Sequence, residues 1–169
     1  YAILKMKELN LDYVIICEDD LDFSIIEKHK IKIMDIIQKA PKDWSLIKLH
    51  NSNPEKIIQH NKEYLDDNIE FSKNNPFDSK NYSTMCYLIN KKYVDEFLKK
   101  YYKNNILTFK ESHFVADVIM YFSNNMYTYT KPLFKSHNFK SSVLEKQNIY
   151  DNISNNLIDD FWKKYSIKG

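Results

Sequence analysis

Four carboxylates crowd into five positions directly after a short apolar run. The residues Glu18, Asp19, Asp20 and Asp22 follow the stretch "VIIC". Like charges this close repel one another, so a folded chain keeps them where water, a basic partner or a metal cation neutralises them. Carboxylate oxygens are the hard ligands that Mg²⁺ and Mn²⁺ prefer, and a cation held by one or two of them keeps positions open for substrate phosphates. A strand that ends here puts Glu18 and Asp20 on one face and Asp19 on the other. This alternation predicts Glu18 and Asp20 as a ligand pair.

Two other interpretations of the acidic cluster stay open at this point. In the first, the acids solvate the end of a strand and favour the N-terminus of the following helix through its dipole. In the second, "DLDFS" (residues 20–24) opens a haloacid-dehalogenase-like phosphatase, with Asp20 as the nucleophile and Asp22 as the general acid. That fold also needs a later lysine and a second acidic pair near glycine turns. The pairs Asp66–Asp67 and Asp159–Asp160 are present, but the glycines are absent.

The composition excludes several classes of function. The net charge is +2 with no sustained basic stripe, which argues against nucleic acid as the main partner. All 25 basic residues are lysines, so an anionic ligand must be held by lysine charges, backbone N–H groups or a metal. The single glycine is Gly169, which excludes the glycine-rich phosphate loops of Walker and Rossmann sites in this chain.

The length and the cysteines limit the domain organisation. The 169 residues, 43% of them hydrophobic, suffice for one domain with a real core and are few for two. Cys17 and Cys86 lie in apolar runs without a CxxC spacing, which predicts buried free thiols and fits a reducing compartment such as the cytoplasm. No stretch approaches the roughly 18 apolar residues of a membrane span. The chain begins at Tyr1 within a helix-like pattern, so we expect a piece that lacks the N-terminal part of a longer polypeptide.

Apolar periodicity divides the chain into alternating helices and strands. We expect helices over residues 2–9, 25–40, 91–102, 112–122 and 155–165, and strands over residues 12–17, 43–50, 84–90 and 126–131. The polar residues 51–80 predict a loop with short inserts. This alternation predicts one α/β layered domain over residues 1–169 with a mainly parallel central sheet. Ligands of such sheets bind at the carboxyl ends of the strands, where the acidic cluster and His50 lie.

The stretch "VIICEDDLDFSIIEKHKIKIMDIIQKAPKDWSLIKLH" resembles the core of glycosyltransferase family 25, which includes bacterial lipooligosaccharide galactosyltransferases and the procollagen galactosyltransferases. In that family a buried strand ends in a Glu-Asp-Asp version of the metal-binding DxD motif, followed by a helix and by a strand similar to residues 43–47 here. Three later motifs resemble the family in the same order: "YSTMCYLIN" with Thr84, "HFVADVIM" with Asp117 and "KPLFKSHNFKSS" with His137. The resemblance covers about residues 12–145, and its strength lies in the order of the motifs.

The resemblance implies a GT-A-type, Rossmann-like α/β domain that moves a sugar, such as galactose or glucose, from a UDP-sugar to an acceptor hydroxyl. The transfer would invert the anomeric centre and would use Mn²⁺ or Mg²⁺. The partners would be the nucleotide-sugar donor and a glycan or protein acceptor, as in glycan or lipopolysaccharide biosynthesis. The family's N-terminal strand and helix, which bind the donor, are not in this chain. A catalytically inactive binding module of the same fold is therefore the alternative.

The resemblance also implies roles for individual residues. Asp20 is expected to be the main metal ligand with Glu18 as its partner, and both join Thr84 in binding the donor. His137 is expected to be a distal metal ligand, and the alternative is a surface or internally bonded histidine. Asp117 is expected to be the general base that takes the acceptor's proton, and the alternative is a salt-bridged acid on a helix.

Overall fold

A five-stranded sheet with helices packed on both faces forms the centre of the protein. The computed structural model describes residues 1–75, 78, 80, 83–109, 119–120, 125–137 and 145–168. In chain order the described helices are α1 (Ala2–Glu8), α2 (Ser24–His29), α3 (Ile33–Lys39), α4 (Pro54–Leu65), α5 (Lys91–Tyr101) and α6 (Glu145–Lys168). The described strands are β1 (Tyr13–Cys17), β2 (Leu21–Asp22), β3 (Leu46–Lys48), β4 (Phe71–Lys73), β5 (Cys86–Asn90), β6 (Tyr102–Lys103), β7 (Ile106–Leu107), β8 (Met126–Tyr129) and β9 (Lys135–Ser136). Residues 119 and 120 are also helical.

The central sheet is mostly antiparallel, so the expectation of a mainly parallel sheet is wrong. Its strand order is β1-β5-β3-β8-β4, and only the pair β3 and β8 is parallel. The reason is that β5 lies between β1 and β3 and runs opposite to both. The strands β1, β3 and β8 still point in one direction, so their carboxyl ends share an edge with the start of β5. The α/β layering is confirmed, and the GT-A type of the sheet stays a prediction.

Successive residues of the two central strands enter opposite cores. Leu46 and Ile89 pack on one face of the sheet with α1 and α5, whereas Ile47 and Leu88 pack on the other face with Ile36 of α3. All four strand side chains are fully buried. Complete burial of a side chain of this size contributes about 1.5–3 kcal/mol. These strands therefore fix the position of the sheet edge at which β3 ends and β5 begins.

The first strand is an edge strand, although its apolar sequence predicts full burial. Within the described residues β1 pairs with β5 alone. Tyr13, Ile15 and Cys17 are exposed and alternate with the partly covered Val14 and Ile16. The residue types are all apolar, so the sequence does not distinguish the covered face from the open one.

Residues 51–80 contain a helix and a strand where the sequence predicts a loop. The helix α4 has recognisable start signals, because the Asn53 side chain accepts hydrogen bonds from Glu55 N and Lys56 N at 3.0 and 3.3 Å and Pro54 follows directly. The strand β4 completes the sheet beside β8. The single helix predicted over residues 25–40 is also wrong, since Lys30 adopts a left-handed backbone with φ 50° that ends α2 before α3 begins.

The last helix, α6, is longer than the predicted helix over residues 155–165. Ile158, Phe161 and Trp162 of α6 form an apolar cluster with Ile57 of α4. The same helix also contacts β9, which leads into the candidate site. None of the helices in the described ranges is long and apolar enough to cross a lipid bilayer.

Candidate active site

Glu18 and Thr84, which are far apart in sequence, meet at the shared edge of the sheet. The Thr84 hydroxyl donates a hydrogen bond to Glu18 Oε1 at 2.8 Å. The strand register explains the contact, since Cys17 faces Cys86 and the ladder continues through Glu18 N, which donates to Met85 O at 2.8 Å. The structure therefore brings together two of the residues expected to bind the donor. Their part in binding stays a prediction.

Asp20 carries an unsatisfied oxygen at the same edge. Its Oδ1 atom is buried and has no hydrogen-bond partner among the described residues. A buried carboxylate oxygen without a partner costs free energy, because it has given up water without a replacement. Hard oxygen ligands of this kind suit Mn²⁺ or Mg²⁺. The orphaned oxygen therefore fits the role of metal ligand that is expected for Asp20.

The backbone places His137 beside Asp20. The short strands β2 and β9 pair in an antiparallel ladder, and His137 N donates to Asp20 O at 2.7 Å. The His137 side chain is exposed. In the part of the chain that the structure describes, no three His, Cys, Asp or Glu side chains are grouped so as to hold a metal ion. The proposed ligand set of Asp20, Glu18 and His137 thus stays a prediction, although two of its members are neighbours through the backbone.

Asp22 serves the following helix rather than the ligand pair. Its Oδ1 atom accepts a hydrogen bond from Ser24 N, the first residue of α2, at 2.8 Å. Burial acts to raise the pKa of Asp22, but the hydrogen bonds from Ser24 and the charges of Lys135 and His137 outweigh it and lower that pKa. Asp22 thus carries its negative charge beside the first N–H of α2, although the N-cap position itself is Phe23. Asp19 is exposed, and Asp117, the predicted general base, lies outside the described residues.

A buried histidine supports the residues that lead into the start of β5, among them Thr84. His50 is 4% exposed, and its Nδ1 atom lies 3.1 Å from the hydroxyl oxygen of Ser83. Burial, with a smaller effect of the Lys48 charge, lowers the pKa of His50 to about 3. His50 is therefore neutral at physiological pH, and it lies behind the edge as a hydrogen-bonding support of the strand start.

The lowered pKa of His50 predicts a dependence of stability on pH. Between about pH 3 and pH 6.5 the unfolded chain binds a proton at this position and the folded chain does not. The free energy of unfolding therefore falls as the pH drops below 6.5, and this residue accounts for about 2 kcal/mol of the loss at pH 5. Urea unfolding of the wild type and of His50→Gln at pH 7.5 and pH 5 measures the difference. An equal loss in both proteins would contradict the prediction, because glutamine stays neutral and can still bond Ser83.

An amide on α6, which no sequence pattern predicts, holds the strand beside Asp20. Asn155 Nδ2 donates to Ser136 O at 2.9 Å, and Ser136 N donates to Asn155 Oδ1 at 3.2 Å. Asn155 therefore continues the β2–β9 ladder from the outside as a further strand residue would. No signal in the sequence identifies this role, since an asparagine in a helix is ordinary and its partner is known only from the fold.

Removing the Asn155 amide is expected to destabilise the protein. Asn155→Ala leaves the backbone N–H and C=O of the buried Ser136 without these partners, and we expect a loss of about 2 kcal/mol in the free energy of unfolding. Urea denaturation measures the loss. The matched control is Asn156→Ala, which makes the same substitution at the exposed next residue of α6 and should change stability by less than about 0.5 kcal/mol. Equal losses of stability in the two variants would contradict the proposal that the Asn155 side chain stabilises β9.

A comparison with protein families identifies the chain. A family model described as "Glycosyltransferase family 25 (LPS biosynthesis protein)" matches residues 4–120. The match includes Glu18, Asp20, Thr84 and Asp117, and His137 lies beyond it. No curated protein and no solved structure matches the chain. The matched residues make up more than half of the sequence, and the match favours glycosyl transfer over the phosphatase alternative. The chain therefore belongs to glycosyltransferase family 25 and is a glycosyltransferase.

Proposed function

We propose that this domain transfers a hexose from a UDP-sugar to an acceptor hydroxyl in a reaction that depends on Mn²⁺ or Mg²⁺. The observation that supports the metal most directly is the buried Oδ1 atom of Asp20, which follows β1 and has no hydrogen-bond partner in the part of the chain that the structure describes. The description of the family as lipopolysaccharide biosynthesis proteins supports a glycan acceptor.

Each residue of the edge has a proposed part in this reaction. Asp20 would supply carboxylate oxygens to the cation, and Glu18 would supply a further oxygen, while the Thr84 hydroxyl bonds Glu18 Oε1 at 2.8 Å. His137, which directly follows β9, would be the third ligand. When bound, a divalent cation there would stabilise the negative charge that develops on the leaving UDP. This matters in a chain without arginine, since no guanidinium group can take that role.

The proton of the acceptor hydroxyl needs a base. We assign this part to Asp117, from its place in the family motif "HFVADVIM". A single displacement with such a base inverts the configuration at the anomeric carbon. The stereochemistry of the product and the effect of Asp117→Asn on the rate therefore test the same assignment.

A donor panel tests the proposed function. The full-length protein is incubated with Mn²⁺, a set of UDP-sugars and lipopolysaccharide core oligosaccharides, and released UDP and glycosylated product are measured. We expect one donor to give both, EDTA to stop the reaction, and added Mn²⁺ to restore it. Undiminished product in EDTA would overturn the metal dependence, and binding of UDP and Mn²⁺ without product from any donor would overturn the transferase assignment in favour of a binding module.

A further inference from the structure

The two cysteines of the chain face each other across neighbouring strands. Cys17 of β1 and Cys86 of β5 are register partners, and their sulfur atoms lie 3.3 Å apart. The chain contains two cysteines in all, and both are free thiols. The spacing of 69 positions in the sequence gives no sign of this pairing, and the sequence predicts two separate buried thiols.

The backbone geometry suits a covalent bond between them. The hydrogen bond between β1 and β5 at this end joins the next pair of residues, since Glu18 N donates to Met85 O. The carbonyl oxygen of Cys86 points away from β1 and accepts from Leu49 N, after β3, at 3.0 Å. Cys17 and Cys86 are therefore a non-hydrogen-bonded pair, in which facing Cα atoms approach to about 4.5 Å and the side chains are closest. A disulfide spans Cα separations of about 4.4–6.8 Å, so the sulfurs need to move only about 1 Å closer without a shift of the strands.

The two thiols differ in access. Cys17 is exposed on the open face of β1, and Cys86 on the neighbouring strand is fully buried. A reagent in solution therefore reaches Cys17 first, and Cys86 is placed to resolve whatever forms there.

We propose that Cys17 and Cys86 are a reversible redox pair that low-molecular-weight disulfides, such as oxidised glutathione, convert to a cross-strand disulfide. The Cys17 thiolate attacks one sulfur of oxidised glutathione, breaks its S–S bond and releases one glutathione thiolate. Cys86 then gives up its proton to that thiolate or to solvent, and its sulfur attacks Cys17 Sγ and releases the second glutathione. Two protein thiols are thus oxidised, and one disulfide is reduced to two molecules of glutathione.

A disulfide between Cys17 and Cys86 would lie next to the residues proposed to bind the donor. Cys17 directly precedes Glu18, and Cys86 lies two residues after Thr84. The bond would tie the end of β1 to the start of β5 at the base of the Glu18–Thr84 contact. It would also cross-link the unfolded chain over a long loop, so we expect the urea midpoint to rise by about 1–2 M.

Peptide mapping of the oxidised protein tests the pair. The folded full-length protein is treated with excess oxidised glutathione, the remaining thiols are alkylated, and the digest is analysed by mass spectrometry. We expect one peptide pair linked through Cys17 and Cys86, about 2 Da lighter than the two reduced peptides, and its loss after dithiothreitol. Accumulation of glutathione on Cys17 without a cross-link, or full alkylation of both cysteines after treatment, would overturn the proposal.

Variants separate the two steps. We expect Cys86→Ala to stop at a stable glutathione adduct on Cys17, and Cys17→Ser to leave Cys86 unmodified in the folded protein. Modification of Cys86 in folded Cys17→Ser would overturn the proposed order of attack. The mapping of the wild type stands alone if either variant fails to fold, and its result does not depend on the proposed transferase activity.

Discussion

Asp20→Asn is expected to lower the rate of sugar transfer by at least about 100-fold and to leave the fold intact. Asparagine has the size of aspartate, but it lacks the negative charge and one of the two oxygens that the proposed cation needs. The substitution acts at the unpartnered Oδ1 atom, so it breaks no hydrogen bond of that oxygen within the described residues. The expected loss is therefore in catalysis, and stability should stay equal or rise slightly.

The measurement is UDP release under saturating donor and Mn²⁺, with far-UV circular dichroism to confirm folding. Asp67→Asn is the matched control, because it makes the same change of charge on an exposed residue after α4. We expect the control to keep the wild-type rate. A rate for Asp20→Asn within about threefold of the control would contradict the account, since a lost charge-stabilising group costs far more.

Trp162→Ala is expected to lower the free energy of unfolding by about 3–5 kcal/mol. The Trp162 side chain is 6% exposed, and its ring stacks on His29 of α2 with centroids 3.9 Å apart. Its Nε1 atom donates to Pro132 O at 2.9 Å, and Lys131 Nζ lies 4.8 Å from its ring centroid. One residue of α6 thus holds both the helix that follows the acidic cluster and the segment that precedes β9. Its removal leaves a cavity and releases both contacts.

Urea unfolding followed by far-UV circular dichroism measures this loss. Fluorescence is less suitable, since Trp162 is one of two tryptophans in the chain. Trp162→Phe keeps an aromatic ring and should cost less than Trp162→Ala, because it loses the indole hydrogen bond but only part of the packing. Lys164→Ala, on an exposed position of α6, should stay within about 0.5 kcal/mol of the wild type. A loss below about 1 kcal/mol for Trp162→Ala would show that α6 contributes little to the fold.

The sequence predicts the central strands well and their arrangement poorly. The runs that form β1, β3, β5 and β8 are short, apolar and rich in β-branched or aromatic residues, which is a local signal. The place of β5 between β1 and β3 depends on pairing over long distances in the chain, and no local pattern specifies it. The same limit explains the exposed face of β1. The helix α4 had a local signal in Asn53 and Pro54, and the high content of polar residues concealed it.

In the candidate site as well, the sequence predicts some residues, and other contacts are known only from the fold. The family motifs predict Glu18 and Thr84 as members of one site, and the antiparallel register of β1 and β5 brings them into contact. The motifs do not separate Asp22 from its neighbours, because its hydrogen bond to Ser24 depends on the path of the backbone. The support from Asn155 and the pairing of Cys17 with Cys86 depend on tertiary structure alone, so a single sequence cannot reveal them.

The binding of Mn²⁺ in the presence of UDP is the most direct test of a metal site at Asp20. Electron paramagnetic resonance of free Mn²⁺, titrated with the full-length protein and UDP, gives the dissociation constant without the need to know the sugar or the acceptor. We expect UDP to strengthen Mn²⁺ binding by the wild type and by Asp67→Asn, and we expect Asp20→Asn to bind Mn²⁺ at least about tenfold more weakly. Equal affinity for Mn²⁺ in Asp20→Asn and the wild type would contradict the assignment of a metal site to this edge of the sheet.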